Sequence, residues 1–257
     1  MAWRSFVAMG DSFTEGMNDG YPDGTFRGWA DLVATRLAVE TGPDFGYANV
    51  AIRGRLLDQI IAEQLEPTLA MRPDLVSFAA GGNDLLRPRV DPDTLLAKID
   101  PVVARIRAAG ADVIVFRFAD IAAHIPGGQR MIGARTAALN DGFREIAERH
   151  GAYLVDLFAD GAYLHREMWS DDRLHLSEIG HRRAAGHALN ALGVGVDEEW
   201  MLVPPMPQPT PWRLARSADL HWARHHLAPW VGRHLRGISS GDLVTAKRPV
   251  LAPISVR

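Results

Sequence analysis

The sequence contains no cysteine. That excludes disulfide bonds, a thiolate nucleophile and every cysteine-ligated metal site. Long apolar runs are missing as well. With no stretch of eighteen or more apolar residues, no membrane-spanning helix and no stable membrane insertion are expected. The opening stretch MAWRSFVAMGDS lacks an extended apolar segment behind a basic start. The expectation is therefore no signal peptide and a cytoplasmic protein. Charge of one sign is also lacking: the net charge of -3 implies no general pull towards nucleic acid. No internal repeat is visible. What remains is a chain of 257 residues, 47% of them hydrophobic, enough for one large domain with a sizeable core, or for a domain plus an extension.

Short apolar runs alternate with longer amphipathic patterns. SFVAM (5–9), GYANVAI (46–52), DLVSFAA (74–80), ADVIVFRF (111–118) and AYLVDLF (152–158) read as five strands. Helices are expected between and after them, at 28–40, 56–65, 92–110, 133–151 and 177–193. Trp29, Leu32, Val33 and Leu37 fall on one face of the first. Pro67 is expected to help end the second, and Pro101 to kink or split the third. Gly151 follows the end of the fourth, and Ser177 is an N-cap for the last, with Glu178 in its first turn. Strands separated by helices imply βαβ units and a parallel sheet covered on both faces, an α/β fold. Reactive loops in such folds follow the carboxyl ends of the strands.

Four pieces of sequence stand at such places or close the pattern: Gly10-Asp11-Ser12-Phe13 after the first strand, Gly54 after the second, Gly81-Gly82-Asn83-Asp84 after the third, and Asp172-Arg173-Leu174-His175 before the last helix. Together they suit acyl transfer. A serine hydroxyl needs a base to take its proton. His175 titrates near neutrality and can serve, with Asp172 three residues earlier holding its other ring nitrogen. The backbone N–H groups of Ser12 and Gly54 and the side-chain amide of Asn83 can face a developing oxyanion, each such donor being worth about 3–4 kcal/mol. Asp171, adjacent to Asp172, is the alternative acid. Asp11 and Asp84 read as structural, bonding loop amides around the site.

In this order the blocks resemble those of the GDSL-type esterases and lipases, also called SGNH hydrolases after serine, glycine, asparagine and histidine. GDSF replaces the usual leucine ending, and phenylalanine keeps an apolar anchor there. GGND fits the family's Gly-x-Asn-Asp and DRLH its Asp-x-x-His. The resemblance covers residues 5–195. It implies a three-layer α/β/α fold resembling flavodoxin, with a five-stranded parallel sheet. It also implies hydrolysis of a small-molecule ester through an acyl-serine, with no metal and no cofactor. Two rival readings stay open: an acyltransferase that passes the acyl group to a sugar or glycerol hydroxyl, and a non-catalytic binding protein on the same fold.

Around these blocks the alternatives are more even. Arg53, Arg55 and Arg87 either attract an acidic substrate or are solvated surface charge. Trp169 either lines the pocket or packs in the core. His124, in the glycine-bearing loop after the fourth strand, either contacts substrate or stands by. The sequence divides into a catalytic-type domain, 1–195, and an extension, 196–257, which is proline-rich and then basic and helical, interrupted at Pro229. His221 and His225 share a helical face, but no carboxylate motif accompanies them as a metal site would require. Arg213, Arg216, Arg224, Arg233 and Arg236 accompany Trp212, Leu220, Trp222, Leu227 and Trp230. Docking on its own domain or homo-oligomerisation is favoured for this extension over an anionic membrane or nucleic acid.

Overall fold

The first strand, β1 (Ser5–Gly10), points Phe6 and Ala8 to one face of a sheet and Val7 and Met9 to the other. Both faces are covered, so the run is apolar throughout instead of alternating. The structure, a computed structural model, describes residues 3–87, 89–205, 211–229, 232, 236 and 239–254. After β1 come the single-turn α1 (Ser12–Glu15), α2 (Gly28–Thr41), β2 (Gly46–Asn49) and α3 (Leu57–Ala70). Then follow β3 (Leu75–Ala79), the single-turn α4 (Gly82–Leu85), α5 (Pro92–Ala108) and β4 (Asp112–Arg117). The chain continues through α6 (Ala134–His150), β5 (Tyr153–Asp156), α7 (Glu178–Ala191), α8 (Trp212–Trp222) and β6 (Arg248–Pro253).

The strands lie in the order β5-β4-β3-β1-β2-β6. The first five are parallel, as the alternating pattern implies, and form the central layer of an α/β/α sandwich. On one face α2 buries Trp29, Val33 and Leu37, and α7 buries Ala184, Ala185, Ala188 and Leu189. On the other, α3, α5 and α6 bury Leu57 and Ile60, Ile99 and Val103, and Leu139 and Phe143. The expected five-stranded sheet is corrected to six strands. β6 runs antiparallel on the outer edge of β2, pairing Pro253 with Gly46 and Arg248 with Asn49. It was missed because RPVLAP carries two prolines, which argue against a strand except at an edge. The sixth strand comes from the stretch expected to be an extension. Lys247, just before it, bonds Asp31 at 2.8 Å and the carbonyls of Phe26 and Arg27 at 3.0 and 2.7 Å.

Two proline expectations also change. α3 runs through Pro67 to Ala70, and α5 is not split at Pro101. Each proline costs its helix about 3 kcal/mol. In α5 the buried Leu95, Ile99, Val102, Val103 and Ile106 are each worth about 1.5–3 kcal/mol, which outweighs it. The terminal expectations hold. Gly151 adopts a left-handed φ of 59° and caps α6, and the Ser177 side chain accepts from the Gly180 N–H at the start of α7. After α8, wider helical turns span Ala223–Leu227. Trp230 and Arg233 lie outside the described residues. Among the described residues, no helix is long and apolar enough to cross a membrane.

Candidate active site

Sequence order reverses in the sheet between β1 and β3, and the crevice outside the carboxyl ends of strands at such a switch point is where ligands bind in open α/β folds. β1 ends there at Gly10. A Cβ on Gly10 would meet Thr14 Oγ1 at 2.5 Å and the Ala79 carbonyl at 2.7 Å, so no larger residue fits without movement. The buried Gln64 amide of α3 holds Gly10 from both sides. Its Oε1 accepts from the Gly10 N–H and its Nε2 donates to the Gly10 carbonyl, both at 2.8 Å. Asp11 then caps α1, accepting from the Phe13 N–H at 3.1 Å. Ser12 thus opens a one-turn helix on a fixed base, and its neighbour Phe13 stacks on Trp29 beneath.

His175 Nε2 lies 2.9 Å from Ser12 Oγ, and His175 Nδ1 lies 2.7 Å from Asp172 Oδ2. The carboxylate fixes the proton on Nδ1, which leaves Nε2 free to accept the serine proton. The other oxygen of Asp172 accepts from the N–H groups of Leu174 and His175 and from the Ser170 hydroxyl. Asn18 donates to Oδ2 at 3.0 Å. Burial pushes the Asp172 carboxyl up, but the hydrogen bonds from His175 and the loop amides outweigh it and hold its pKa well below the usual carboxylate range. Asp171 is fully exposed and faces Arg166 at 3.6 Å, so the geometry selects Asp172 of the adjacent pair.

Gly54 has φ 72°, a left-handed conformation that favours glycine. A Cβ there would lie 2.5 Å from Ser239 Oγ. Among the described residues the N–H groups of Ser12 and Gly54 donate to no protein acceptor. Asn83 differs: its Nδ2 donates to Asp11 Oδ2 at 3.0 Å and to the Arg55 carbonyl at 3.1 Å, committing both hydrogens. Asp11 is pushed up by burial to about 6. Asp84 accepts from the Leu57 N–H at 2.9 Å, and burial raises its pKa too.

Two cavities meet at Ser12 and His175. The smaller, about 90 Å³, is walled by Phe13, Leu85, Phe118, Leu139 and Trp169. The larger, about 340 Å³, is bounded by Gly54, Asn83, Leu174 and the C-terminal segment. Of the remaining expected contacts, Trp169 is both core and cavity wall, with its indole N–H on the Tyr163 carbonyl at 2.8 Å. His124 donates to the same carbonyl at 2.8 Å and packs against Trp169, outside both linings. Arg53 lines neither cavity. It pairs with the buried Glu15 and lies over Phe26, so its charge is already matched. Trp222 and Ser240 were missed at the cavity wall, and no motif marks them. Asn18, which donates to Asp172, lies in the loop after α1, and no motif marks it either. Among the described residues no three histidine or carboxylate side chains gather as a metal site.

A search of curated proteins found no sequence match. Solved structures give close matches of fold. LAE5, an alpha/beta hydrolase enzyme from the metagenome of Lake Arreo in Spain, has 25% identity and a TM-score of 0.60, over 74% of this chain and 94% of its own. TesA has 26% identity and a TM-score of 0.60, over 73% and 97%. Axe2, an acetylxylan esterase from Geobacillus stearothermophilus, has 22% identity and a TM-score of 0.60, over 75% and 96%, and speaks for the fold alone. The model of the GDSL-like lipase and acylhydrolase family matches residues 8–183, a span that holds all four blocks. Ester hydrolysis in general is supported by that match, and with more than half its length covered the chain belongs to the GDSL-like lipase/acylhydrolase family.

Proposed function

We propose that the chain is a carboxylic ester hydrolase acting through an acyl-serine. His175 Nε2 takes the proton of Ser12 as Oγ bonds to the ester carbonyl carbon. The resulting oxyanion is held by the N–H groups of Ser12 and Gly54. Asn83 joins them by yielding or sharing its bond to the Arg55 carbonyl. When the tetrahedral species collapses, the carbon–oxygen bond to the alcohol breaks and His175 protonates the departing oxygen. Water, deprotonated by His175, then attacks the acyl-serine carbonyl; the bond to Oγ breaks, His175 returns the proton to Ser12, and the acid leaves. Asp172 keeps the imidazole oriented and stabilises its charged form throughout.

The observation that carries this reading is the unbroken chain from Ser12 Oγ to His175 at 2.9 Å and on to Asp172 at 2.7 Å. The smaller cavity, almost wholly apolar, suits the acyl group. The larger one leaves room for the alcohol and for incoming water. The test is hydrolysis of p-nitrophenyl esters from acetate to palmitate, with a fluorophosphonate probe as an active-serine label. Wild type turns over and is labelled. Ser12→Ala is not labelled, and Ser12→Ala and His175→Ala each lose roughly four to six orders of magnitude in kcat, as removal of a nucleophile or base does. Full activity in Ser12→Ala would refute the mechanism.

A further inference from the structure

The larger cavity has a wall that the family match does not reach. Matching stops at residue 183, yet Trp222, Leu227, Pro229 and Ser240 line the space beside Ser12. The C-terminal segment is tied to both loops that carry the chemistry. Trp222 Nε1 donates to the Asp172 carbonyl at 2.7 Å, and Asp219 pairs with Arg173, between acid and base, at 2.6 Å. Arg173 holds a φ of 60°, unusual for a side-chain-bearing residue, while its guanidinium lies over the Trp222 ring. On the other side Ser239 Oγ donates to the Gly54 carbonyl at 3.2 Å, and Asp242 pairs with Arg55 at 3.2 Å.

We infer that Trp222, Leu227 and Pro229 form a specificity wall for the alcohol half of the ester, and that the alcohol is bulky and carries an apolar group against them. The inference rests on the hydrolase reading above. Trp222, Leu227 and Pro229 line the cavity together with Leu86, Ile125 and Leu174. His225, His226 and Ser240 line the same space, and the Asp172 carboxylate there is committed to His175. A small alcohol would leave most of the 340 Å³ unfilled. An aromatic or branched one removes apolar surface from water on both sides.

The test compares kcat/KM for methyl butyrate and benzyl butyrate, which share an acyl group and differ in the alcohol. Leu227 is 39% exposed, so changing it does not open the core. Leu227→Trp fills the cavity and lowers the benzyl-to-methyl ratio roughly tenfold or more. Leu227→Ala removes contact and lowers the ratio about threefold, mainly through KM. Thermal unfolding confirms that both variants are folded. Ratios within twofold of wild type in both variants overturn the wall while leaving the hydrolase intact. A wild type inert towards both esters overturns the hydrolase reading, and the wall with it.

Discussion

The smaller cavity and the larger one share Ser12, Asn83 and His175 but are built by different means. The smaller is enclosed by side chains that are themselves core: Phe118 packs on Phe13 and Phe143, and Leu139 and Trp169 are buried. Its shape cannot change without disturbing the sandwich. The larger is completed by a segment held at a few points, Trp222 on the Asp172 carbonyl, Asp219 on Arg173, and Ser239 and Asp242 around Gly54. The difference teaches that chemistry and selectivity are held by separate parts. Strand ends fix the reacting groups, while an added segment shapes what approaches them and can vary at small cost to the core.

Three changes test how far that separation goes. The largest effect belongs to the fixed part. Asp172→Asn is expected to lower kcat on p-nitrophenyl butyrate about 10³–10⁴-fold, because the neutral amide no longer imposes the tautomer or steadies the imidazolium. A loss below tenfold would mean that the turn alone orients His175. Next comes the anchor of the added part. Lys247→Met removes the cation bonded to the buried Asp31, leaving its carboxylate the Tyr47 hydroxyl at 2.8 Å as hydrogen-bond donor among the described residues, with the Arg248 charge nearby. The expected loss is about 3–5 kcal/mol in urea unfolding. A loss under about 1 kcal/mol would show a segment far more loosely attached than the contacts imply.

The smallest expected effect concerns His181, which borders the smaller cavity. Its Nδ1 faces the Trp29 N–H at 3.3 Å, and its Nε2 donates to the Met17 carbonyl at 3.2 Å. Burial lowers its pKa from 6.5 to about 4, so the folded ring stays neutral where the unfolded one is charged. A depressed histidine contributes stability that is full above 6.5 and is lost as pH falls towards 4. At pH 4.5 this amounts to about 2–3 kcal/mol. Asp11 works the other way in the overlapping window. Burial raises its pKa from 3.8 to about 6, so its contribution is full below 3.8 and is lost as pH rises through 6. The two slopes offset in wild type. His181→Gln is therefore expected to gain about 2–3 kcal/mol relative to wild type between pH 7.5 and 4.5, read from paired urea titrations. A difference independent of pH would remove the burial argument.

Much of the fixed part was legible because its rules are local. β1 announces itself as an apolar run closed by glycine, and Ser12, Gly54, Asn83 and His175 stand in blocks whose spacing is set by single loops. Ser177 and Gly151 show their capping roles in their neighbours. The rest depended on distance in space. Arg53 looked like a free cation, but its partner Glu15 sits thirty-eight residues away in sequence. Asn83 looked like a free donor, but Asp11 and Arg55 claim its hydrogens only after three strand ends converge. Trp222 carries no local sign that its ring N–H will meet the Asp172 carbonyl, and RPVLAP reads poorly as a strand until β2 offers it an edge.

That edge has a consequence for strand addition. β2 would otherwise end the sheet with an open row of backbone donors and acceptors, a template on which another chain could add a strand. β6 covers it and becomes the margin in turn. The Ile254 N–H points inward to the Phe45 carbonyl, so the neighbouring position faces outward, and there Pro253 has no N–H to offer. Pro249 removes another donor from the same short strand. On this side the sheet therefore ends in a border that further chains cannot readily extend, and trimming the chain before β6 is expected to expose β2 as a template for strand-by-strand addition.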